Sequence, residues 1–168
     1  MCIRDSPGDV HPLTRQHIST FLRYLPVDYV YGLRRVELRG RTSEEIGDPY
    51  GYYLNGEKTI VLFSVPPDLW QFPHTPGGSY WRFEVHDAEV EVVNDQVHVR
   101  WKRPVDLAYF FYREVFLHEL GHHYHNQYRS RNKHPRYYAA KEASATRHAI
   151  QLAKRNKTFR LWHELPAG

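Results

Sequence analysis

The chain has 168 residues, 41% of them hydrophobic and 25% charged, with 23 Lys and Arg against 19 Asp and Glu for a formal charge of +4. Its one cysteine, Cys2, excludes an internal disulfide and a thiolate-rich zinc site, and no apolar run reaches the length of a membrane span. The start lacks a basic segment followed by an apolar one, so the sequence favours a single cytoplasmic domain with no membrane association.

Residues 1–8 lead into no periodic pattern and read as a non-native or disordered leader. The domain is then expected over residues 9–160, with 161–168 as a tail. His11-Pro12-Leu13-Thr14 reads as a helix start, and Ile18, Phe21, Leu22 and Leu25 repeat at helical spacing up to Pro26. Residues 34–39 suit a short strand, and 41–49 are polar and rich in turn formers. Asn55-Gly56 predicts a two-residue hairpin turn, because both residues accept positive φ. Its second arm, 59–65, is β-branched and nearly continuous, as a central strand is, and Pro66-Pro67 ends it.

Residues 66–79 read as a loop in which Trp70 and Phe72 cover a core edge or form a flap over a cleft. Residues 80–86 alternate, with Trp81, Phe83 and Val85 on one side, and predict a strand. Residues 89–93 and 97–101 flank Asn94-Asp95-Gln96 as a second hairpin. From Val105 the period changes from two to about 3.6, predicting a long helix. After a polar, basic loop at 126–136, another helix runs over 137–155. The order predicts an α+β fold. An antiparallel or mixed sheet of about five to six strands would pack with three main helices.

The second helix carries His118-Glu119-Leu120-Gly121-His122, a His-Glu-x-x-His motif. Histidines four apart share one helix face and converge on one metal ion, with the intervening Glu119 placed to handle a metal-bound water. A chain this rich in histidine reaches the motif by chance about once in twenty, so its context matters. Gly121 costs about 1 kcal/mol of helix propensity relative to Ala, which a close approach by another element would explain.

A catalytic zinc takes a third protein ligand and leaves a fourth position open. Glu142 lies among Ala139, Ala145, Thr146 and Ala149, small residues on one face of the last helix. A carboxylate there is either a ligand or an exposed partner of a neighbour such as Lys141. His125 and His134 are the rival third ligands. A straight helix carries His125 a turn too far, and His134 has a looser spacing. His123 should point away from the site, and the remaining histidines read as surface or core residues.

Leu117 to His122, followed by Lys141-Glu142-Ala143-Ser144-Ala145-Thr146-Arg147-His148-Ala149, resembles the gluzincin metallopeptidases, most closely the minimal ImmA/IrrE kind. The resemblance covers residues 105–149; Ala143 and Ser144 depart from the acidic residue or Asn common there. It implies a zincin-like fold, one zinc per chain on His118, His122 and Glu142, and hydrolysis of a protein or peptide substrate with Glu119 as general base. His134 as third ligand would resemble the SprT-like proteases, which act on DNA-bound proteins. Tyr138 is the favoured oxyanion donor, over Tyr137 and His148. Glu114, a turn before His118, either orients a ligand imidazole or pairs with a basic residue such as Arg113. An extended substrate would add to the strand at 80–86.

Residues 126–168 hold ten Lys or Arg against two Glu. A solvated basic face is the plain reading. The alternative function is a non-catalytic zincin-fold regulator or binding protein that meets nucleic acid through this end, a less favoured partner because no nucleic-acid motif accompanies the charge.

Overall fold

The computed structural model describes residues 9–40, 50–67, 69–128 and 136–155; the leader, residues 41–49, His134 and the tail lie outside the described residues. Helix α1 (Arg15–Tyr24) starts where the sequence places it. The Thr14 hydroxyl accepts from the His17 amide and His17 Nδ1 accepts from the Thr14 amide, closing a capping box. Its apolar face seats Ile18 and Phe21 in the core. A single turn, α2 (Val27–Val30), leads into β1 (Arg35–Arg39).

Among the described residues six strands form two three-stranded sheets, correcting the expectation of one sheet. In the first, β3 (Thr59–Phe63) lies between β1, which it meets in parallel, and β2 (Gly51–Leu54), which it meets antiparallel. Every residue of β3 is buried, as its continuous apolar run requires. In the second sheet, β6 (Gln96–Trp101) lies between β4 (Leu69–Pro73) and β5 (Ala88–Val93), all antiparallel. Pro66 and Pro67 stand between the sheets and offer no amide to continue the first ladder.

Strand β4 falls inside the stretch expected to be loop. Trp70 is a core residue, ringed by Tyr50, Phe83, Trp101 and Phe110, and its indole N–H donates to the Pro66 carbonyl. It is not a flap. Residues 80–86 are not a strand either: they contain a single helical turn, α3 (Trp81–Glu84). Their alternation does not mark a buried face, since Phe83 is buried while Trp81 and Val85 are each 60% exposed.

From Pro104 to Tyr128 one uninterrupted helical run comprises α4 (Pro104–Phe110), a π-helical segment (Phe111–Phe116) and α5 (Leu117–Tyr128). The π segment widens the helix directly before the His-Glu-x-x-His motif, a placement recurrent at functional sites. Phe111, Phe116, Leu117 and Leu120 anchor the run in the core. Helix α6 (Arg136–Arg155) packs along α5. Among the described residues no helix is long and apolar enough to cross a membrane.

Candidate metal centre

His118 and His122 occupy successive turns of α5, with their Nε2 atoms 3.0 Å apart. Glu142, on α6, closes the triangle: Oε2 lies 3.2 Å from His118 Nε2, and Oε1 lies 3.3 Å from His122 Nε2. Ligands of a tetrahedral ion bound at 2.0–2.1 Å stand about 3.3 Å from one another. The two imidazoles and the carboxylate therefore fit a small divalent cation.

Two helices reach this spacing because Gly121 faces α6. A Cβ there would lie 2.7 Å from the Ala145 carbonyl oxygen and 2.9 Å from its Cα. The glycine inside the motif thus lets α6 come close enough to deliver Glu142. Ala145 is fully buried at the contact.

Glu119 is 8% exposed and accepts a hydrogen bond from the Tyr53 backbone amide. Burial, reinforced by the Glu142 charge, pushes its carboxyl up to about 8, against the Tyr53 amide and the Lys141 charge. One Glu119 carboxylate oxygen and one ring nitrogen from each of His118 and His122 lie within 4.8 Å of one another, so distance alone admits Glu119 as a ligand. The two contacts of Glu142 at 3.2 and 3.3 Å favour Glu142 for that role and leave Glu119 beside the ion. Burial lowers the basicity of both imidazoles. For His118 the Glu142 charge opposes this and the Arg82 charge adds to it; for His122 the His118 charge adds to it. Neutral imidazole is the form that binds a metal.

Neighbouring residues depart in part from the expected arrangement. Glu114 does not hold a ligand imidazole. Its carboxylate accepts from Arg82 Nη2 at 2.6 Å, with His86 Nε2 at 3.2 Å and Arg113 Nε at 3.5 Å. The group beside His118 Nδ1 is Thr146 Oγ1, at 3.4 Å. In the sequence Thr146 stands out only as a small residue; its place one turn after Glu142 on the same face is the signal that marks it. His125 is buried against Ser144, with Nδ1 3.3 Å from Oγ, and takes no part in the triangle. His148 Nδ1 lies 2.6 Å from the Tyr29 hydroxyl, between Tyr29 and Tyr124, so it packs and offers no oxyanion contact. His134 and the side chains of Tyr137 and Tyr138 lie outside the described residues.

The centre opens into a cleft of about 690 Å³, walled by residues 50–53 on one side and by Tyr80, Arg82 and Phe83 on another. Among the described residues β2 is one of the two edge strands of its sheet. The Tyr50 carbonyl accepts from the Phe63 amide. The alternation of an antiparallel ladder then turns Tyr53 away from β3, toward the motif helix. Comparison of the chain with protein-family models, curated proteins and solved structures finds no match.

Proposed function

We propose that the protein is a zinc-dependent metallopeptidase of gluzincin type, with His118, His122 and Glu142 as ligands and Glu119 as general base. The observation that carries this reading is the triangle of 3.0, 3.2 and 3.3 Å edges with a buried carboxylate beside it. Held by His118, His122 and Glu142, a zinc ion would supply a coordinated water acidified toward neutrality and polarisation of the scissile carbonyl, and its charge would bring the neighbouring Glu119 carboxyl down to the ionised form that a general base needs. Glu119 takes the proton of the attacking water on a carboxylate oxygen, and later gives it to the leaving amide nitrogen. The Tyr53 amide fixes the Glu119 carboxylate in place for both transfers. Thr146 holds the His118 ring from behind.

An extended substrate lies along the cleft against β2 at Tyr53, which replaces residues 80–86 as the neighbouring edge. A cytoplasmic setting remains part of this reading.

The experiment is metal analysis of the purified chain beside a peptide-cleavage assay. Wild type is expected to hold one zinc and cleave. Glu119→Gln is expected to keep the zinc and lose at least about a hundredfold in rate. Loss of zinc in Glu142→Ala, with zinc retained in His134→Ala, assigns the third ligand; the reverse result hands that role to His134. An active Glu119→Gln protein would sink the mechanism; a wild type that holds zinc without cleaving any peptide would favour a non-catalytic binding module.

A further inference from the structure

Resting on the metallopeptidase reading, we propose that Arg82 receives a carboxylate of the substrate, either an acidic side chain or the chain end, in a groove beside His118. The residue is absent from the motif helix and from α6; the fold brings it there on the single turn α3.

Arg82 lines the main cleft, and it also lines a second hollow of about 290 Å³ that shares His118 with it. The two spaces therefore meet at the metal centre, with Arg82 at their junction. One Arg82 Nη2 hydrogen bond goes to Glu114. Among the described residues the other guanidinium N–H groups make no hydrogen bond, and the side chain is 42% exposed. A guanidinium presents its donors as a planar fork. With one prong on Glu114, the remaining donors are oriented and free to take a second carboxylate.

Charge around the hollow favours an anion. Arg82 and Arg113 face one carboxylate, Glu114, which leaves one positive charge over. The rest of the wall includes Trp81, Val85 and Ile150, all exposed apolar side chains. An apolar surround thins the water near the guanidinium and strengthens a charged hydrogen bond made there. Glu114 and His86 anchor the arrangement: His86 is buried on the far side of the same carboxylate. Arg82 is thus built onto the wall of the cleft, with its position fixed before any substrate arrives.

The test uses the full chain carrying Glu119→Gln, in zinc-containing buffer, so that peptides bind without being cut. Acetylated, amidated hexapeptides with a single Glu or Gln stepped along the sequence form one arm. Free-acid and amidated versions of the Gln peptides form the other. Calorimetry reads the binding. In at least one arm the carboxylate form is expected to bind about tenfold tighter or more. Arg82→Gln erases that preference and Arg82→Lys keeps part of it, a ratio that a merely structural role would not move. Equal binding in both arms of the otherwise unaltered Glu119→Gln protein overturns the proposal. So does a preference that survives Arg82→Gln, which marks a carboxylate resting on the metal or another cation. Cleavage assays on wild type separate this from the parent reading. Carboxylate preference without cleavage removes the peptidase and leaves the Arg82 site; cleavage with no preference in binding or in kcat/KM removes the Arg82 site alone.

Discussion

Gly121 on α5 and the backbone of Ala145 on α6 are packed so closely that a Cβ on Gly121 would fall 2.7 Å from the Ala145 carbonyl oxygen. Helix propensity alone would make Gly121→Ala stabilising by about 1 kcal/mol. The contact reverses the sign. The added methyl meets main chain, which cannot swing aside as a side-chain end can, and overpacking of this kind costs about 1–3 kcal/mol. Moving α6 away also carries Glu142 off the histidines. Gly121→Ala is therefore expected to unfold at lower urea concentration and to bind zinc more weakly. Ala145→Gly should not rescue it, because the clash is with backbone atoms that a glycine retains.

Thr146→Val separates the positioning of His118 from the packing of α6. Valine keeps the shape and removes the hydroxyl 3.4 Å from His118 Nδ1. Loss of such an outer partner typically weakens metal affinity by about 10–100-fold. The expected result is a weaker zinc constant by competition with a chelator, with unfolding free energy changed by less than about 1 kcal/mol.

The two hairpins show where local sequence misleads. Asn55-Gly56 is the stronger turn signal, yet the loop between β2 and β3 spans residues 55–58 and its left-handed residue is Lys58, φ 54°. Leu54 pairs with Thr59, so the turn takes four residues rather than two. The two-residue turn occurs instead at Asn94 and Asp95, both at positive φ, with Val93 paired to Gln96. Asp95→Gly should thus stabilise by about 0.5–1 kcal/mol. Gly56→Ala, with open space around it, should cost no stability. Thermal unfolding of the two variants checks both.

The candidate His/Glu cluster was legible because spacing on a helix is local. His118, Glu119 and His122 follow from the period, and the small residues around Glu142 signalled the packed side of α6, where Ala145 and Ala149 are buried while the Glu142 side chain itself stays 63% exposed. Of the partners of Glu114, Arg113 was legible from the sequence, and Arg82 and His86 were not. Arg82 and His86 come from a turn that reads as a strand when alternation is judged without knowing which side is buried. The split into two sheets is likewise nonlocal, since β4 finds its place only by pairing with β6, across the intervening α3 and β5.

Glu114 gives the chain a specific acid sensitivity. Burial pushes its carboxyl up, but hydrogen bonds from His86 and Arg82 and their charges outweigh this and hold it down to about 2. A folded value below the ordinary 4.5 means stability that is present above pH 4.5 and lost as pH falls toward 2. Discounted for the solvent around Arg82, the loss is about 2 kcal/mol. Denaturant unfolding between pH 5 and pH 2 should show a steeper decline in wild type than in Glu114→Gln, where this group no longer titrates. Equal slopes would mean that the Arg82 and His86 contacts do not favour the ionised form.

His123, beside the motif histidine yet fully buried, ties α5 to the strand that holds Glu119. Its Nε2 lies 2.9 Å from the Tyr31 carbonyl oxygen, which can only accept, so Nε2 carries the hydrogen. Nδ1 is then the acceptor for the Tyr53 hydroxyl at 2.9 Å, and the ring is neutral. Burial lowers the basicity of His123 and pushes the Tyr53 phenol up to about 12, so both groups keep these protonation states around neutral pH. The Tyr53 side chain is thereby locked while its backbone amide holds Glu119. His123→Ala leaves a cavity, a buried carbonyl and a hydroxyl without partners, and should cost about 2–4 kcal/mol. Tyr53→Phe removes only the hydroxyl and should cost about 1 kcal/mol. Tyr53→Phe should retain zinc, since no ligand moves, but lose peptidase rate because β2 no longer sits firmly against α5. A double-mutant cycle of the two substitutions by urea unfolding should return a coupling of about 1 kcal/mol. Additive effects would show that the hydrogen bond does not join strand to helix.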